Sequence, residues 1–147
     1  MDDIEQLYQD LIVDHYKHPR CAGRLENPDG ESTLLNPLCG DEITLGVKIS
    51  GGKIAEISFS RKGCSISQAS ASIMCELLKG LTPSEASSRL ALFMQLMKGE
   101  IEEGDLDSLG DASCLRGVKR FAARIRCATL SWEALAKVLE ELAARTD

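Results

Sequence analysis

Six cysteines hold most of the chemistry available to this 147-residue chain: Cys21, Cys39, Cys64, Cys75, Cys114 and Cys127. No two of them form a CxxC pair, which removes zinc-ribbon and thioredoxin-like arrangements. A cysteine acts as thiolate, so the useful question is where thiolate would be favoured. Cys39 and Asp41 share the turn Asn36-Pro37-Leu38-Cys39-Gly40-Asp41. Gly40 lets the backbone bend so that two ligands one residue apart face a single point. Cys64 follows Gly63 at the expected end of a strand and opens a helix, and Cys127 is expected to open the last helix. Unpaired N–H groups and the positive dipole end at such helix starts stabilise thiolate. Two strand-end positions and two helix starts can converge at one end of a sheet. Three thiolates and one carboxylate there suit tetrahedral Zn²⁺. Arg61, Lys62, Arg124 and Arg126 lie near these positions in sequence and offset the surplus negative charge.

The residues taken alone leave a plainer reading open. A cysteine is often a small buried hydrophobe, and an aspartate in a turn is often only a cap. Cys21, Cys75 and Cys114 are read that way, with Cys75 about 200° round its helix from Ile73 and so partly exposed. His15 and His18, beside Pro19, are read as helix-end packing and capping groups.

The elements that must position these side chains follow from patterning. Asp2 or Asp3 caps a first helix with an apolar stripe of Ile4, Leu7, Tyr8, Leu11, Ile12 and His15, ended by Pro19. A short strand is expected near Thr33–Asn36. Ile43–Ile49 alternates apolar and polar residues, and Ser50-Gly51-Gly52-Lys53 turns the chain into a third strand burying Ala55, Ile57 and Phe59. A helix from about Ser65 to Lys79 carries Ile66, Ala69, Ser70, Ile73 and Leu77. Thr82-Pro83-Ser84-Glu85 is a capping-box start for a helix burying Ala86, Leu90, Phe93 and Met97 and stopping near Gly99. The last helix buries Leu130, Leu135, Val138, Leu139 and Leu142. The fold class is α+β: a small three-stranded antiparallel sheet packed against helices, in a single domain over 1–147.

Charge and composition narrow the function. A net charge of −6 argues against nucleic acid as the main partner. Six acidic residues between Glu100 and Asp111 read as a solvated loop, and five basic residues run from Arg116 to Arg126, next to Cys127. No apolar run is long enough to span a membrane. The start, MDDIEQLYQD, lacks the basic and apolar regions of a secretion signal. A cytoplasmic address follows, in which the cysteines stay thiols.

Four stretches closely resemble the SufU family, relatives of the IscU and NifU amino-terminal scaffold proteins. They are Leu7-Tyr8 with Asp14-His15-Tyr16-Lys17-His18-Pro19-Arg20; Asn36 to Asp41; Gly63-Cys64-Ser65-Ile66-Ser67 with Ala69-Ser70-Ala71-Ser72; and Ala123 to Trp132. The resemblance implies Cys39, Asp41, Cys64 and Cys127 as metal ligands, and a sulfurtransferase-like sulfur acceptor rather than a conventional enzyme. It also implies a pyridoxal-phosphate cysteine desulfurase, SufS-like, as sulfur donor, and a SufB-like scaffold as downstream recipient. The IscU branch has a His before its last cysteine and a Leu-Pro-Pro-Val-Lys motif upstream. Here Arg126 precedes Cys127, and Arg120-Phe121-Ala122-Ala123-Arg124 stands upstream. Both departures point to the zinc-dependent sulfur-transfer branch for iron–sulfur cluster assembly. Cys39, on a loop beside Gly40 while Cys64 and Cys127 are tied to helix starts, is the expected acceptor, and Arg124, one helical turn before Cys127, is a candidate accessory residue. The alternatives are a scaffold that assembles a [2Fe–2S] cluster on the same ligands, and a purely structural zinc domain.

Overall fold

A computed structural model describes residues 3–37, 40–60, 62–100 and 106–145. The order is α1 (Asp3–Lys17), β1 (Gly30–Asn36), β2 (Asp41–Ser50), β3 (Lys53–Phe59), α2 (Ser65–Leu78), α3 (Pro83–Lys98), the short α4 (Leu106–Leu109), a 3₁₀ stretch (Gly110–Arg120) and α5 (Ala122–Arg145). The strands form one antiparallel sheet in the order β1-β2-β3, as the alternation requires. Ile43, Leu45 and Val47 are fully buried on one face of β2, and the α+β class holds.

The third strand departs from simple alternation. Ile54 is buried and Ala55 exposed, the reverse of the expectation for Ala55. The ladder pairs Lys48 with Glu56 and Ile49 with Ile54, so Ala55 has no partner across the strand. One extra residue of this kind is a β-bulge, and it shifts every residue before it by one face.

α2 is the hub of the fold. Small side chains at Ala69, Ser70, Ala71 and Ser72 let neighbouring elements approach closely, and α1, α5 and the 3₁₀ stretch all pack on it. Its buried surface therefore runs nearly all the way round, and Cys75, expected at a partly exposed position, is fully buried. The α2–α5 seam is pinned by buried polar contacts. Ser70 Oγ donates to the Ala128 carbonyl at 2.5 Å, and Trp132 Nε1 donates to Ser70 Oγ at 2.9 Å. Trp132 also stacks on Phe93 at 3.9 Å, which ties α3 to the same seam. The capping box of α3 is present as expected: Thr82 Oγ1 accepts from Glu85 N, and Glu85 reaches back to Thr82 N.

Two further expectations change. Of the acidic run, Glu100, Asp107 and Asp111 are exposed and Glu102, Glu103 and Asp105 lie outside the described residues, but its stretch from Leu106 to Asp111 is helical rather than loop and runs on into helical turns that bury Leu109, Ala112, Cys114, Leu115 and Val118. The last helix begins at Ala122, five residues before the expected start at Cys127. Ala, Arg and Ile are adequate helix formers, and the Arg124 N–H already bonds the Phe121 carbonyl at 2.7 Å.

Candidate metal centre

Local folding brings three of the four expected ligands together. Asn36 and Asp41 are the last paired residues of the β1–β2 hairpin. Its loop closes through Gly40 N to Asn36 O at 2.9 Å, with Gly40 at φ +74°. Only glycine adopts that conformation at no steric cost. The start of β2 is then joined to the segment before α2, because Glu42 N donates to the Lys62 carbonyl at 3.2 Å. Asp41 and Cys64 are thereby held side by side.

Asp41 is 1% exposed. Its Oδ1 accepts the Cys64 N–H at 2.7 Å, and its Oδ2 accepts from the Cys64 thiol at 3.6 Å. Cys64 is the N-cap of α2, and its Sγ accepts from Ser67 N at 3.5 Å. The α2–α5 seam delivers the third group: Cys127 precedes Ala128, the residue bonded by Ser70. Ligand atoms of Asp41, Cys64 and Cys127 lie within 4.8 Å of one another. Cys39 lies outside the described residues.

The placement of Cys127 corrects the sequence argument for it. It sits in the second turn of α5, buried, with its thiol directed at the Ala123 carbonyl at 3.9 Å. The field of a helix terminus fades within its first turn, so the helix-start argument does not apply to Cys127. The nearby cations are also differently engaged from the expectation. Lys62 pairs with Glu42 at 3.3 Å, and Arg126 is bonded to Glu133 along the outer face of α5. Arg124 is exposed one turn before Cys127, and Arg61 lies outside the described residues.

The donor set fits zinc. Tetrahedral bonds of about 2.3 Å to sulfur and about 2.1 Å to oxygen require an S···O edge of about 3.6 Å. The Cys64 Sγ to Asp41 Oδ2 separation is 3.6 Å. With Asp41 as a zinc ligand as well as the acceptor for the Cys64 N–H, its two tasks would separate experimentally. Asp41→Asn keeps an oxygen for the Cys64 N–H but loses the carboxylate charge, so zinc affinity should fall at least about ten-fold with the fold kept. Asp41→Ala also removes the acceptor and should cost a further ~1–2 kcal/mol of stability. Chelator competition and thermal melts measure both effects, and unchanged affinity in Asp41→Asn would leave Asp41 as a cap alone.

Sequence reasoning missed two residues here. Gly63, at φ +154°, has no room for a side chain: an added Cβ would lie 3.0 Å from Asp41 Oδ1 and 3.3 Å from Ser67 Oγ. Ser67 occupies the third helical position after the Cys64 cap, a spacing visible in the sequence once Cys64 is placed as a cap.

The chain carries a further three-residue cluster of possible donors, His15, Glu76 and Asp111. His15 is buried as expected, with Nδ1 against Ser72 Oγ at 2.8 Å. Arg20 enters this cluster, pairing with Glu76 at 3.3 Å and Asp14 at 2.7 Å. Its guanidinium supplies the positive charge, and the cluster serves as a clamp between α1 and α2.

The cysteines outside the centre differ in reactivity. A thiol hydrogen bond from fully buried Cys75 lowers the pKa of Cys21 to about 7, and burial pushes Cys114 up to about 12. In zinc-loaded protein, iodoacetamide should label Cys21 with a midpoint near pH 7, while Cys75 and Cys114 stay unlabelled through pH 9. Peptide mass spectrometry reads this directly, and a Cys21 midpoint at 8.5 or above would contradict it.

The NifU-like N terminal domain family matches residues 7–128. The chain belongs to this family. Within it, the chain is 44% identical over 135 residues to the zinc-dependent sulfurtransferase SufU of Bacillus subtilis, covering 92% of this chain and 90% of that one. It is 36% identical over 143 residues to the iron–sulfur cluster assembly scaffold protein IscU of Streptococcus pyogenes, covering 97% and 89%. Among solved structures it resembles a putative iron–sulfur cluster assembly scaffold protein for the SUF system from Fervidobacterium islandicum. That match has a TM-score of 0.84 and 32% identity, covering 92% of this chain and 98% of that one. The sheet and helices are therefore those of the NifU-like N terminal domain. Among the described residues, no helix is long and apolar enough to cross a membrane.

Proposed function

We propose that this chain is a zinc-dependent sulfur carrier for iron–sulfur cluster assembly, folded as one domain and working in the cytoplasm. The observation that carries the reading is the Asp41–Cys64–Cys127 group, with its 3.6 Å edge matching a tetrahedral zinc site. Cys39, two residues before Asp41, supplies the fourth ligand. When bound, zinc keeps its ligand thiols deprotonated and protects them from oxidation.

Sulfur enters from the persulfide of a pyridoxal-phosphate cysteine desulfurase. The Cys39 thiolate attacks the outer sulfur of that persulfide. A new S–S bond forms at Cys39 as the donor's S–S bond breaks, and the electron pair leaves on the donor cysteine as thiolate. The product is a Cys39 persulfide, with no net oxidation or reduction. Cys39 takes this part because its place in the sequence is between β1 and β2, beside Gly40, whereas Cys64 is fixed as a helix cap and Cys127 within a helix turn. Arg124, exposed on the first turn of α5 one turn before Cys127, is the accessory residue for transfer or docking. A SufB-like scaffold is the recipient of the sulfur.

The IscU relatives keep a second reading in play, in which the same ligands hold a [2Fe–2S] cluster. Elemental analysis and a visible spectrum of freshly purified protein decide between them. Colourless protein with about one zinc per chain is expected for a single four-ligand site. Brown protein containing iron and sulfide would overturn the carrier reading. A zinc-loaded protein that leaves the turnover of its desulfurase unchanged would reduce the site to a structural one.

A further inference from the structure

The hydroxyl of Ser67 is fully buried and has no hydrogen-bond partner. Buried hydroxyls are nearly always paired, so a native one without a partner calls for a reason. A helical serine usually turns to the carbonyl four residues back. Here that carbonyl, of Gly63, already accepts from Gln68 Nε2 at 2.7 Å.

The location supplies the reason. Ser67 Oγ and Asp41 Oδ1 flank the position a Gly63 Cβ would take, at 3.3 Å and 3.0 Å from it. The backbone N–H of Ser67 already points to Cys64 Sγ at 3.5 Å. The hydroxyl is thus an idle donor on the residue whose backbone N–H already bonds Cys64 Sγ, with Asp41 Oδ1 across the Gly63 Cβ position from it. The Asp41 carboxylate accepts from the Cys64 N–H and thiol. A bound cation replaces that thiol proton and leaves thiolate and carboxylate as acceptors only.

We propose that Ser67 is a positioning residue of the metal centre, whose hydroxyl donates to the Asp41–Cys64 ligand pair when a metal ion is bound. The inference rests on the metal reading of that pair and adds to it a specific outer contact. Such contacts orient ligands and moderate their donor strength. In the metal-free protein the hydroxyl is a burden, and in the loaded protein it is an asset. That reversal of sign distinguishes it from an ordinary packing residue.

Ser131 provides the comparison. Its hydroxyl is also fully buried and unpartnered, but it stands one helical turn beyond Cys127. The test melts parent, Ser67→Ala and Ser131→Ala with and without zinc, and measures zinc affinity by chelator competition. Ser67→Ala should melt at or above the parent without zinc and below it with zinc, with affinity lowered about ten-fold or more. Ser131→Ala should shift both melts in the same direction and leave affinity unchanged. With cobalt(II) in place of zinc, Ser67→Ala should move the thiolate-to-metal charge-transfer band to lower energy, because the thiolate has lost a donor.

A parent that binds zinc while Ser67→Ala binds it equally well, with an unmoved cobalt band, would overturn the role of Ser67 and leave the metal centre standing. A parent that binds neither metal would overturn both.

Discussion

Cys64→Ser and Cys127→Ser should each release zinc and lower the melting temperature of the purified protein by about 8–16 °C. Free zinc at about a thousand times its dissociation constant stabilises the folded state by roughly 4 kcal/mol. For a chain of this length each kcal/mol moves the midpoint by about 2–4 °C. Serine preserves the shape of both sites but is a poor zinc ligand. At Cys64 its oxygen still caps the Ser67 N–H of α2, so the loss belongs to the metal and not to the helix. At Cys127 the side chain is 1% exposed, and a hydroxyl can still reach the Ala123 carbonyl. Chelation of the parent should therefore reproduce most of the shift, and the variants should show little further response to chelator. Full zinc occupancy in either variant would remove that cysteine from the centre.

Cys39→Ser should abolish sulfur acceptance while sparing the rest of the centre. Serine cannot form a persulfide, so desulfurase turnover should fall to its rate without this protein. Asp41, Cys64 and Cys127 converge through contacts that do not involve Cys39: the Cys64 N–H to Asp41, the Glu42–Lys62 bridge and the Ser70–Ala128 bond. Folding should survive, with zinc held more weakly on three ligands. Steady-state desulfurase assays with circular dichroism separate these outcomes. Full stimulation by Cys39→Ser would move the acceptor role to another cysteine.

Much of this was legible from residue types because the local signals agree. The capping box at Thr82, the alternation in β2 and the turn glycines each name their own structure. Cys64 could be placed at a helix start because glycine and a helical run bracket it. Cys127 was placed wrongly for the matching reason: Ala122 to Arg126 carries no start signal, and only the Phe121–Arg124 contact shows where α5 begins. Ala55 was misassigned because a bulge inserts one residue without changing composition. Cys75 is buried because α2 is enclosed on several sides, which the periodicity of one helix cannot express. The pairing of Asp41 with Cys64 depends on a bridge between residues 42 and 62, a tertiary contact that neither local segment encodes. The Ser67 hydroxyl was invisible at the outset, since its isolation is a property of the packed site.

Sulfur from a persulfide donor should pass to Cys39. The zinc-loaded parent is incubated with a pyridoxal-phosphate cysteine desulfurase and free cysteine, alkylated, digested and analysed by mass spectrometry. The predicted result is a gain of one sulfur, ~32 Da, on the peptide containing Cys39, dependent on both desulfurase and cysteine. Added sulfur only on the peptides of Cys64 or Cys127, or on none, would rule out Cys39 as the acceptor.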